Sequence, residues 1–187
     1  MANDKTPIKL IKGVYVNREL SWIKFNLRVL EQAADEDTPV LERGKFLSIF
    51  TSNLDEFFMV RMGSLYNEAK MHPDACDNKT KLTFGMQLKA IAERTPRLYE
   101  MREHVFTHLK RDLSEAGINI LTYDQLSEGR KDELKAQFNA RVLPLLSPMV
   151  IDAKHPLLRF ENLRCYMLYK LKKNDHTTVS YTHLTLP

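Results

Sequence analysis

Apolar residues recur every three or four positions from Asn17 to Glu115, then every second position near the end of the chain. Between Asn17 and about Ala34, Leu20, Ile23, Leu27 and Leu30 share one face, widened by Trp22, Phe25 and Val29, which predicts a first helix. Asp35, Glu36 and Asp37 close it with charge. Thr38 is placed to cap a second helix with Pro39 at its first position, where the missing N–H does no harm, and that helix should run to about Phe50. His72 to Asn78 reads as a loop. A long seam of Leu88, Ile91, Leu98, Val105, Leu109 and Leu113 predicts a helix from about Lys81 to Glu115, with a kink or short break at Pro96 and a stop at Gly117.

A separate helix start is expected inside Ser52-Asn53-Leu54-Asp55. Ser52 and Asp55 have the capping-box form, and Leu54, Phe57, Phe58, Met62, Leu65, Tyr66 and Ala69 continue as an apolar stripe. A fresh helix start offers free N–H donors and partial positive charge to an anion, with the Asn53 amide beside them. Arg61 falls within the stripe. Three readings stand for it: pairing with a nearby carboxylate, contact with a phosphate, or extension of its head into solvent.

The pattern changes after Gly117. Ile118 to Leu121 reads as a short strand. Ser127 should cap a helix carrying Leu134, Phe138 and Val142, which Pro144 and Pro148 end. Met149 to Ile151 reads as a second strand, and Cys165, Met167, Tyr169 and Leu171 alternate along a third. The fold class expected is mainly α: an antiparallel helical bundle over residues 1–117, then the beginning of an α+β domain over 118–175. Residues 176–187 break the alternation and resemble the translation of a sequencing-library adapter, so a non-native tail is expected there, and His176 and His183 are given no chemistry.

Composition narrows the picture only slightly. Charged residues make up 28% and apolar ones 43%, an ordinary globular mix. No stretch is apolar for long enough to span a bilayer, and Met1 to Thr6 lacks the core of a secretory signal. A cytoplasmic protein is expected, with peripheral membrane association as the alternative. The net charge of +4 fits polyanion handling without requiring it, and no basic run marks a nucleic-acid tail. Cys76 and Cys165 have no metal-type spacing and should be reduced thiols. His104 and His108, four apart, lack a third ligand. No Gly-rich phosphate loop and no nucleophile–base arrangement is present. The residues alone suggest an anion or nucleotide contact near Asn53 and no catalytic machinery.

Several ordered motifs then combine. Asn17-Arg18-Glu19-Leu20-Ser21-Trp22 with Phe25-Asn26, Leu41 to Phe50, and Ser52 to Arg61 resemble the N-terminal domain of the long polyphosphate kinases. Leu146 to Asp152, His155-Pro156 and Glu161-Asn162-Leu163 resemble the start of that family's head domain. The resemblance implies reversible transfer of the terminal phosphoryl group of ATP to inorganic polyphosphate, with Mg²⁺ and a phosphohistidine intermediate. It also implies two phospholipase D-like C-terminal domains. It places the family's nucleotide-contacting asparagine on Asn53. The phosphorylated histidine and the metal-binding groups belong to C-terminal parts absent from this sequence, so Mg²⁺ would be bound there. No catalytic or metal-binding residue is expected among the 187, and the chain alone is expected to be inactive. Homo-oligomers are common among members. The alternative is a stand-alone helical protein-interaction module, and a third reading is a weak polyanion-binding domain.

Overall fold

The computed structural model describes residues 15–151, 160–173 and 176–183. Asp152, His155 and Pro156 of the expected head-domain motif lie outside them, as do residues 1–14 and 184–187. Cα proximity divides the chain into two units, Met1–Ile120 and Leu121–Pro187.

Helix α1 spans Arg18–Ala34. The Asn17 side chain accepts from the backbone N–H groups of Glu19 and Leu20, filling two of the donors that a helix start leaves open. Helix α2 spans Val40–Glu56 with Pro39, rather than Thr38, as its N-cap. It does not end near Phe50. The chain stays helical through a π-helical segment, Phe57–Met62, and on into α3, Gly63–Met71. The helix start expected at Ser52–Asp55 is therefore absent. Glu56, Phe57, Met62 and Gly63 all keep right-handed helical angles, and no proline lies within the run. Ser and Asp favour caps only where the backbone is free to leave the helix, and here packing of Phe50, Leu54 and Phe57 holds it in.

Helix α4, Phe84–Glu115, begins at Thr83, whose hydroxyl accepts from the Met86 N–H. It continues unbroken through Pro96. It ends on Gly117 at φ +83°, with Gly117 N–H donating to Ser114 O and Ile118 N–H to Leu113 O. That pair of bonds is a Schellman stop, and it needs the left-handed residue that glycine supplies without strain. It also explains why the strand expected at Ile118–Leu121 does not form. The Ile118 N–H closes the helix, and no strand pairs with this stretch among the described residues.

Helix α1 packs on α2 and α4, and α2 and α3 both pack on α4. Ile23, Leu30, Ala33, Leu47, Phe50, Leu54, Phe57, Leu65, Ile91, Leu98, Leu109 and Leu113 form the core. Arg43 is buried within this unit. Its Nε donates to the Ala33 carbonyl at 3.0 Å and its Nη1 to Asp112 Oδ2 at 2.8 Å, tying the end of α1 to α2 and α4.

The second unit contains α5, Glu128–Gln137, followed by a π-helical segment at Phe138–Val142. Strands β1, Met149–Ile151, β2, Tyr166–Lys173, and β3, His176–His183, form an antiparallel sheet in the order β1-β3-β2. Met149 and Leu168 both pair with Tyr181. β3 lies on the segment where no strand was expected. Thr177, Thr178, Val179, Tyr181 and Thr182 are β-branched or aromatic and suit a strand once β2 supplies a partner.

Candidate functional site

The end of α2, the π-helical segment and the first turns of α1 enclose a cavity of about 230 Å³ lined by Trp22, Asn53, Glu56, Phe57, Val60 and Arg61. Trp22 lies on α1 because Ile23, Asn26, Leu30 and Ala33 turn the adjacent face inward. Its ring stacks on Phe57 at 4.2 Å between centroids, with planes 12° apart. Phe57 meets Phe58 edge to face, which fixes the aromatic pair from behind.

Asn53 is half-buried and reaches this cavity from the last turn of α2. Its Nδ2 donates to Asn26 Oδ1 at 3.1 Å. Asn26 is fully buried and its own Nδ2 donates to the Phe50 carbonyl at 3.0 Å. The open N–H donors expected at Asn53 are not there, because those groups lie inside a continuing helix. What Asn53 offers instead is a side-chain amide held at the edge of an aromatic-walled space.

Arg61 does not lie on the apolar face. It is exposed on the cavity wall and forms no salt bridge among the described residues, which removes the internal pairing. A π turn holds one extra residue, and this rotates the downstream helix by about 100° relative to a regular one. Leu54 and Phe57 remain buried while Arg61 and Tyr66 face outward.

Asn26 and Trp22 were not singled out from the sequence as site residues. A signal for Asn26 existed: it occupies a seam position between Ile23 and Leu30, where a polar amide must find a buried partner. The discounted candidates stay apart. His104 and His108 find no third ligand, since no group of three His, Cys, Asp or Glu side chains converges among the described residues. Cys76 and Cys165 are free and exposed. No described helix is long and apolar enough to cross a membrane.

The family model described as "Polyphosphate kinase N-terminal domain" matches residues 15–121. The polyphosphate kinase of Halalkalibacterium halodurans is 44% identical over 164 residues, covering 86% of this chain and 23% of that protein. The Mycolicibacterium gilvum polyphosphate kinase is 38% identical over 174 residues, covering 92% of this chain and 24% of its own length. The crystal structure of the Porphyromonas gingivalis polyphosphate kinase superposes with a TM-score of 0.66 at 29% identity, covering 89% of this chain and 24% of that one. The chain thus spans about a quarter of the length of the relatives it matches.

Proposed function

Because this chain belongs to the polyphosphate kinase family, we propose that it supplies the nucleotide-holding wall of an enzyme that reversibly moves the terminal phosphoryl group of ATP onto inorganic polyphosphate. The observation that carries this reading is the Asn53 amide at the edge of a cavity walled by Trp22 and Phe57. At about 230 Å³ the space falls below the roughly 300–1,000 Å³ that encloses a whole drug-sized ligand, so it suits a base rather than a complete nucleotide. Aromatic rings offer stacking to a planar heterocycle, and an amide both donates and accepts along its edge. The Arg61 guanidinium at the same wall, with no salt bridge among the described residues, suits a phosphate oxygen.

Phosphoryl transfer depends on positioning and charge stabilisation more than on covalent help from the protein. A base held against Trp22 fixes one end of ATP, so that the terminal phosphate is presented to groups elsewhere in the enzyme. None of the described residues is assigned a proton-transfer or nucleophilic role. Mg²⁺ neutralises phosphate charge in the reaction proposed. It is given no ligand on this chain, because no suitable cluster converges among the described residues. The homo-oligomer expected from the resemblance belongs to the same proposal.

Trp22 is the chain's single tryptophan, so its fluorescence reads the cavity directly. Adding ATP should quench it, whereas tripolyphosphate alone should not; a signal that ignores ATP at millimolar concentration would remove the reading. In a full-length kinase carrying this domain, Asn53→Ala should raise KM for ATP about two- to tenfold, the effect of one hydrogen bond. The 187-residue chain by itself should transfer no phosphate, and robust turnover would contradict the assignment.

A further inference from the structure

We propose that Asn26 is a positioning residue that sets base preference, by locking the Asn53 amide in one of its two orientations. The inference rests on the nucleotide reading of the cavity. Its starting point is the Phe50 carbonyl, which can only accept. The Asn26 amide group within 3.0 Å of it must therefore be the NH₂ end. Asn26 is fully buried, so its other end, Oδ1, cannot turn to water and faces Asn53. An oxygen there demands a donor, so Asn53 turns its Nδ2 inward at 3.1 Å and its Oδ1 away. One backbone carbonyl thus dictates the orientation of two side chains in series.

The edge left to a ligand is one carbonyl oxygen and the remaining N–H of Asn53. That donor–acceptor pair complements a 6-aminopurine, whose amino group donates and whose N7 accepts. On the same O6/N7 edge a 6-oxopurine presents two acceptors and needs two donors. Asn53 could supply those only by flipping, which would set its oxygen against Asn26 Oδ1 with no proton between them. The relay forbids the flip, so it selects the amino base without Asn26 touching it.

ATP and inosine triphosphate differ at the C6 substituent and in the N1 proton that goes with it, and are the probes. Titrated into the 187-residue chain and read by Trp22 fluorescence, ATP should bind about tenfold more tightly. Asn26→Ala should bring the ratio of the two dissociation constants close to one. Asn26→Asp, neutral in this enclosed site, can donate its O–H to the Phe50 carbonyl while its other oxygen accepts from Asn53, and should keep the preference. A folded Asn26→Ala chain that weakens both ligands equally, with the ratio unchanged, would show a merely structural role and overturn the inference, as would equal binding by the wild type.

Should the variants not fold, the wild-type chain still decides by nitrogen-15 NMR. The Asn53 side-chain amide should show slowed hydrogen exchange relative to that of the exposed Asn67, and equally fast exchange would refute the lock. If ATP gives no Trp22 response while Asn53 remains protected, the nucleotide reading fails and the fixed orientation survives.

Discussion

Between Arg18 and Glu115 the apolar side chains close on one another; between Tyr123 and His183 most of those described face outward. In the helical unit, Leu30, Phe50 and Ile91 are at most 1% exposed. In the second unit, Leu134 and Phe138 on the helical stretch and Met167, Leu168 and Leu171 on β2 are each more than 40% exposed. Among its described side chains, the sheet buries Ser180, Tyr181 and Thr182, all on β3. Short connections between amphipathic helices let the first unit complete a core from nearby sequence. A three-stranded sheet has two faces and too little chain to cover both.

This contrast can be broken most easily at Phe50. Phe50→Ala should cost about 3–5 kcal/mol and lower the denaturant midpoint of the helical unit, because it empties a fully enclosed site. Arg43→Met should cost less, about 1–3 kcal/mol, chiefly by leaving the Ala33 carbonyl without its donor. Gly117→Ala should cost about 1–2 kcal/mol, read as a drop in melting temperature, since φ +83° strains any residue with a Cβ. Acid should act on the same unit. The Arg43 side chain, donating to Asp112, holds that carboxyl below its ordinary value of 3.8, with Arg111 adding to the effect. Its contribution to stability is therefore complete above that value and lost as pH falls below it towards the lower folded-state value. Asp112→Asn should flatten that part of an acid unfolding curve. The smallest effect is expected in the second unit, where Leu168→Ala should change stability by no more than about 0.5 kcal/mol. A loss there comparable with Phe50→Ala would erase the contrast.

What was legible in the sequence was local. The extents of α1 and α4, the stop at Gly117 and strands β1 and β2 follow from spacing, caps and alternation within a few residues. What was not legible depended on distant partners. Ser52 and Asp55 look like a helix start until Phe50, Leu54 and Phe57 are seen holding the backbone in. Ile118 to Leu121 looks like a strand until its first N–H is committed to α4. β3 needs β2 to become a strand at all. Asn53 was found for its residue type and motif, but its surroundings were misread. The cavity depends on Trp22 and Asn26, which lie well before it in the chain, and on the side of the helix to which Arg61 is turned.

The Phe57–Met62 segment behaves like an insertion that the helix has absorbed. Excising one residue from it, Val60 for instance, would let the rod wind regularly from Val40 to Met71 and spare the chain an uncommon geometry. The same cut would leave α3 in its present phase with Leu65 on the core, whereas a deletion in the regular helix on either side has no such slack and would turn α3 by about a quarter turn. The wide turn therefore acts as a phase adjuster, keeping the hydrophobic register of one half of the rod compatible with the outward-facing chemistry of the other.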